Sequence, residues 1–160
     1  MVSLSKKLLN MWKKGYSYSH EKLNSNAMPM IANIETTNAC TMKCIMCPRR
    51  YMKRKVGFMD IELFEKIIKQ LKANSRICLH HFGDPLLHPK IDEIIKICKK
   101  YGIETSFSTN PTSLTEKNIR KILDSGLDYL HISLDGATKE TYEKIRGGEA
   151  NYEIALERIE

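Results

Sequence analysis

The sequence is short of several features. No stretch of its 160 residues approaches the roughly 20 consecutive apolar positions that a membrane-spanning helix needs. A membrane span is therefore not expected. The opening MVSLSKKLLNMWKKG is basic, but lysines interrupt its apolar residues and no small-residue cleavage site follows. A secretory signal is not expected there, and a cytoplasmic location is. There is no internal repeat and no low-complexity tract. Cysteine is scarce and odd in number, with five copies, which excludes a fully paired disulfide framework.

What is present is ordinary for a globular chain: 42% hydrophobic and 28% charged residues. The net charge is +7, which raises nucleic acid, a membrane surface or an acidic substrate as partners. Most lysines are spread over helix faces (Lys66, Lys69, Lys72, Lys96, Lys99, Lys100), where they read as solvated surface. Only Arg49-Arg50-Tyr51-Met52-Lys53-Arg54-Lys55 is dense, and it follows the cysteines directly. It reads as the lining of an active-site loop. No base-reading module accompanies it, so neither nucleic acid nor membrane is expected as a partner.

Residues 3–14 read as a helix with Leu4, Leu8, Met11 and Trp12 on one stripe. Residues 15–28 are polar and read as a linker, so the expected division is 1–28 (helix and linker) and 29–160 (core). From there strands and helices alternate. Strands are expected at 30–36, 76–82, 103–108 and 129–134. Helices are expected at 60–72, 91–101, 115–125 and 138–146, with a final helix opening near Tyr152 and still running at Glu160. Asp60 is placed to cap its helix, and Gly102, Gly126 and Gly147 to stop theirs. This alternation implies a parallel sheet with helical crossovers. An eight-unit barrel takes about 250 residues, or about 31 per unit. Residues 30–160 supply about four units, so either the sheet is open or the chain is part of something longer. The last helix, with no stop signal, favours the latter.

In such sheets ligands sit outside the carboxyl ends of the strands. Every unusual cluster falls there: Cys40–Cys47, Gly83-Asp84-Pro85, Ser108–Asn110 and Ser133–Gly136. The first is a C-x3-C-x2-C loop. Thiolates are soft ligands for iron–sulfur clusters or zinc. Three of them can hold three corners of a four-iron cube and leave the fourth iron open. Zinc wants a fourth protein ligand, which His80, His81 or His88 could supply. Three buried structural cysteines on a loop are the remaining alternative, ranked behind a cluster and then zinc. Cys78 and Cys98 stand alone and read as small apolar residues.

The segment ETTNACTMKCIMCPR (Glu35–Arg49) resembles the cysteine signature of the radical S-adenosylmethionine (SAM) superfamily, most closely its SPASM or twitch-type members. That resemblance covers about residues 30–158. It implies a fold: the N-terminal part of a partial (β/α)6 barrel, here an α/β chain with a parallel sheet of about four strands, truncated after the fourth βα unit. It implies a [4Fe-4S] cluster on Cys40, Cys44 and Cys47, with Met46 placing its main chain near adenine. His81-Phe82-Gly83-Asp84-Pro85 is similar to the family's GGEP segment, with Phe82 for the first glycine and Asp84 for glutamate. The resemblance thereby assigns Gly83, Asp84 and Pro85 to the SAM amino group. Ser108, Thr109 and Asn110 match a TNG strand end, with Pro111 for glycine. Ser133 and Asp135, in SLDGA, match a segment that contacts SAM; for Asp135 a plain helix cap is the alternative. Glu35 is a candidate to orient the loop.

The same resemblance implies an oxidoreductase-type enzyme. It would cleave SAM reductively to methionine and a 5′-deoxyadenosyl radical, which abstracts hydrogen from a substrate; the SPASM-like resemblance points to a peptide or protein. An electron donor such as flavodoxin or ferredoxin would supply the electron. The competing expectation is a metal- or cluster-binding fragment without turnover. No residue is assigned as a catalytic acid or base.

Overall fold

The computed structural model describes residues 4–25, 27, 31–71 and 76–160. The expected helix start at Ser3, strand start at Met30, helix end at Lys72 and domain boundary at 28/29 lie outside them. A first helix, α1 (Leu4–Ser19), precedes β1 (Ile31–Asn33). Then follow α2 (Ile61–Ile68), β2 (Arg76–Cys78), α3 (Ile91–Lys100), β3 (Glu104–Thr109), α4 (Glu116–Ser125), β4 (Tyr129–Ile132), α5 (Lys139–Arg146) and α6 (Tyr152–Glu157). Several expectations are corrected. The strands expected at 30–36, 76–82 and 129–134 end at Asn33, Cys78 and Ile132, where the chain leaves the ladder for the site loops. Helix α1 continues past Gly15 through five residues expected to be linker. The last helix stops at Glu157 rather than running on, because the chain turns after Arg158.

The sheet has four strands in the order β1-β2-β3-β4, every pair parallel. It is an open arc, a partial barrel, with β1 and β4 at its edges. The strands are short, but main-chain bonds continue one residue past their ends: Ile34 N–H to Cys78 O (2.8 Å), Leu79 N–H to Ser106 O (2.8 Å) and Ser133 N–H to Thr109 O (3.0 Å). The strand tips are therefore fastened together where the loops begin.

Helices α2, α3 and α4 cover one side. Phe64 and Ile68 of α2, Ile94, Ile95 and Cys98 of α3 and Ile122 of α4 pack on Ile77 and Phe107. Each large buried side chain is worth about 1.5–3 kcal/mol of transfer free energy. Asp60 accepts from Glu62 N–H and Leu63 N–H at the start of α2, and Thr115 from Asn118 N–H at the start of α4. Helix α3 carries Asp92 and Glu93 in its first turn and Lys99 and Lys100 in its last, matching the helix dipole. The opposite side of the sheet bears small polar groups. Ser106 and Ser108 alternate with Thr105 and Phe107 along β3. This side faces the barrel interior and leads to the site.

Candidate active site

The loop carrying the three cysteines is tied down on three sides. Toward β2, Thr36 Oγ1 donates to Leu79 O (2.9 Å) and Asp84 N–H to Ala39 O (2.8 Å). Gly83 comes so close that a Cβ on it would stand 1.9 Å from Thr37 O, and only glycine fits there. Within the loop, Arg49 Nη2 donates to Cys40 O (3.1 Å) and Met42 O (2.8 Å), and Met42 is buried beneath. Toward α5, Lys43 N–H donates to Arg146 O (3.1 Å) and Ile45 N–H to Ile145 O (2.9 Å). Gly148, at φ +64°, lies where a Cβ would meet Thr41 O at 2.6 Å. The Arg146-Gly147-Gly148 turn is thus a seat for the loop.

Cys40, Cys44 and Cys47 line one cavity of about 190 Å³, together with residues from the tips of β2, β3 and β4. Of the sequence candidates, Met46, Gly83, Asp84, Ser108, Thr109, Asn110 and Ser133 are also in its wall. Pro85 and Asp135 are not. Pro85 is the buried first residue of a short 3-10 turn (Pro85–Leu87). Asp135 is not the cap of α5, a role Thr138 fills; its carboxylate pairs with Arg146 at 3.1 Å. A larger cavity of about 310 Å³ opens beyond Thr41, between Thr115 and Arg158, and contains no cysteine.

Asp84 is the best-connected side chain of the wall. It is buried, and its Oδ1 accepts from Thr109 Oγ1 (2.8 Å) and Leu86 N–H (3.1 Å). Its Oδ2 accepts from Ser113 Oγ (2.6 Å) and from Asn110 Nδ2. A carboxylate has about four lone-pair sites, so the protein fills them all. Glu35 joins two strand tips, its Oε1 accepting from Phe82 N–H (3.0 Å) while its Oε2 pairs with Arg54.

Arg146 was not singled out in the sequence. It is buried, lines the cavity, and donates from Nη1 to Cys44 Sγ (3.5 Å) and from Nη2 to Ser133 O (2.9 Å). Its Nε is buried and has no hydrogen-bond partner among the described residues. His80, offered by the sequence as a possible zinc ligand, also lines the cavity. Its Nδ1 accepts from Ser108 N–H (3.1 Å) and stands 3.0 Å from Cys78 Sγ. Nδ1 therefore carries the lone pair in the neutral ring, leaving the proton on Nε2. Burial holds the His80 pKa below the ordinary imidazole value, and the neighbouring His81 adds to this. Burial likewise pushes the Cys40 thiol up, with Asp84 and Cys44 adding to that rise, while a main-chain bond at Met42 and the Arg49 charge oppose it.

The donor set distinguishes the metals considered. Among the described residues no three His, Cys, Asp or Glu side chains gather tightly enough to hold a single ion. The thiols are set around a cavity rather than around a point, which suits a cube whose irons take one thiolate each. His88 is not available as a zinc ligand. Its Nε2 bonds Met59 O (3.0 Å) and its Nδ1 accepts from Lys90 N–H (3.1 Å).

The fold and site together define a class: half-barrel α/β proteins with a three-cysteine loop after the first strand, facing the neighbouring strand tips. Comparison with known proteins gives the family. Residues 34–160 match the model of the Radical SAM superfamily, and the chain belongs to it. That family uses a [4Fe-4S] cluster and SAM.

Among relatives, the chain is 30% identical over 105 residues to a tungsten-containing aldehyde ferredoxin oxidoreductase cofactor-modifying protein of Pyrococcus furiosus, covering 64% of this chain and 30% of the relative. It is 27% identical over 132 residues to AlbA of Bacillus subtilis, the antilisterial bacteriocin subtilosin biosynthesis protein, covering 81% and 29%. Among solved structures, SuiB of Streptococcus suis bound to S-adenosylmethionine superposes with a TM-score of 0.62 at 18% identity, covering 92% of this chain and 35% of SuiB. The chain thus spans about a third of the length of these proteins. Among the described residues, no helix is long and apolar enough to cross a membrane.

Proposed function

We propose that this chain is the cluster- and cofactor-binding part of an enzyme that cleaves SAM reductively, with Cys40, Cys44 and Cys47 as the three protein ligands of a [4Fe-4S] cluster. When bound, cluster and SAM together would supply a 5′-deoxyadenosyl radical able to take hydrogen from a substrate. One observation carries the reading: three thiols from one loop and the tips of three further strands share a single cavity.

The chain's own residues divide the remaining work. At about 190 Å³ the cavity is below the 300–1,000 Å³ usual for a drug-sized ligand. It would suit a cluster and the chelating end of SAM. The Asp84 carboxylate is occupied by its four protein donors, so its part is to hold the tips of β2 and β3 in register. The amino group then falls to the main chain around Gly83, whose position Glu35 fixes through Phe82. Arg146 donates to the Cys44 sulfur and balances its charge, and Asp135 acts through Arg146. Ser108 and Ser133 offer hydroxyls at the rim, and Met46 offers its main chain to adenine. Ile45 and Pro48 flank the cysteines with apolar surface.

A peptide or protein substrate is favoured by the similarity to AlbA, which is named for bacteriocin biosynthesis. An external one-electron donor, of the flavodoxin or ferredoxin kind, completes the requirement. The test is anaerobic incubation of the reconstituted chain with SAM and dithionite, followed by chromatography for 5′-deoxyadenosine and methionine. Their formation supports the proposal. A fully loaded cluster with no cleavage would instead favour a cluster-binding module without turnover.

A further inference from the structure

The basic run after the cysteines has no role in the cavity. No residue from 48 to 58 is in its wall. The segment instead pairs with residues 36–38, just after the edge strand β1. Thr37 and Phe58 form an antiparallel bridge. Thr37 Oγ1 donates to Gly57 O (2.7 Å), Met59 N–H to Thr36 O (2.8 Å), and Asn38 grips Lys55 O (3.0 Å) and Gly57 N–H (2.8 Å). At its other end, a 3-10 turn (Pro48–Tyr51) begins at Cys47. The segment is therefore pinned at both ends rather than loose.

Residues 49–55 contain five cations and no acid. Two of them are used internally, Arg49 on the cysteine-loop carbonyls and Arg54 on Glu35. Arg50, Lys53 and Lys55 are exposed and enter no ion pair among the described residues. Tyr51 (76%), between Arg50 and Lys53, and Val56 (65%), next to Lys55, are exposed, and the Arg50 guanidinium lies 5.3 Å from the Tyr51 ring centroid. Exposed apolar side chains beside unpaired like charges suit a partner of opposite charge. At about 2 Å of rise per residue, Arg50 is only about 6 Å along the turn from Cys47.

We propose that Arg50, Tyr51, Lys53, Lys55 and Val56 form the docking face for an acidic one-electron donor protein. This rests on the cluster assignment above. A substrate has to reach the cavity through its open strand tips, whereas this face belongs to a segment that lines none of the cavity. An electron, unlike a substrate, needs only proximity to the cluster. One electron passes from the donor's reduced centre to the cluster; the donor is oxidised by one electron, and no atom or proton is exchanged.

The experiment is anaerobic stopped-flow reduction of the reconstituted chain by flavodoxin hydroquinone and, separately, by dithionite. The variants are R50E/K53E/K55E and, as a control with the same change in net charge, K6E/K66E/K117E on the helices. Iron content and SAM binding are checked in each. The proposal expects the triple variant to be reduced at least about ten-fold more slowly by flavodoxin, with its dependence on ionic strength lost. It expects dithionite reduction to be unchanged and the control to behave as wild type.

Equal slowing with both reductants, no slowing, or equal slowing in the control each overturns it. So does loss of acidic-peptide binding with reduction intact, which would make this a substrate surface. Failure of the chain to take up iron, or to cleave SAM with dithionite, counts against the cluster assignment instead.

Discussion

Arg146 Nη1 lies 3.5 Å from Cys44 Sγ, across 102 residues of chain. The same guanidinium pairs with Asp135 at 3.1 Å and with Ser133 O at 2.9 Å. The loop that carries the cysteines is thereby coupled to the tip of the last strand. A donor and a positive charge at a cluster sulfur stabilise the reduced, more negative state. The R146Q variant is expected to lower the midpoint potential in an EPR-monitored titration. It should also cost about 2 kcal/mol of stability in urea unfolding through its lost charged hydrogen bonds. An unchanged potential would mean that Arg146 only seats the loop.

Asp84 gives a sharper stability test. Its carboxylate is buried under four donors, and D84A leaves these without an acceptor. A loss of roughly 3 kcal/mol or more is expected from urea titration, since each unsatisfied buried group costs about 1–3 kcal/mol. D84N keeps the shape and part of the acceptance and should lose less. Equal losses would show that the hydrogen bonds are not what Asp84 contributes.

Part of this was readable beforehand, and the reasons are physical. The C-x3-C-x2-C spacing is set by ligand reach within one loop, so it is local and visible. The strand-helix alternation is carried by apolar periodicity, and all four strands and their parallel order follow from it. Arg146 was hidden because its burial depends on Cys44 and Asp135, far apart in the chain. Asp84 was seen as a turn residue or a SAM contact, because a sequence does not show that four donors converge on it. Gly15 and the polar residues after it suggested a linker, yet α1 continues to Ser19; an exposed glycine costs a helix only about 1 kcal/mol.

Gly83 tests the contact between strand tip and cysteine loop. A Cβ there would stand 1.9 Å from a main-chain oxygen, which no rotamer change relieves. G83A is expected to push the loop outward, costing more than about 3 kcal/mol by overpacking, and to lower iron uptake. Gly57 has nothing within 4 Å of a built Cβ, so G57A should load iron as wild type does. Normal loading of G83A would show that the close approach is dispensable.

His88 predicts a pH dependence of folding. Burial holds its pKa below the ordinary value of 6.5. Below about pH 6.5 the unfolded chain binds a proton that folded His88 refuses, so stability falls with falling pH until the folded pKa is reached. His80, lowered by burial in the same way, adds to this. Urea midpoints at pH 7.5 and 5.5 should show the loss, and H88Q should make it smaller. An equal loss in H88Q would remove His88 as its source.

The cluster assignment itself is most directly tested by spectroscopy of the anaerobically reconstituted chain. About four irons and four sulfides per chain are expected, with an EPR signal of the reduced cluster that changes when SAM is added, and with iron uptake lost in C40A/C44A/C47A but kept in C78A/C98A. Stoichiometric zinc in place of iron, or a cluster signal indifferent to SAM, would contradict it.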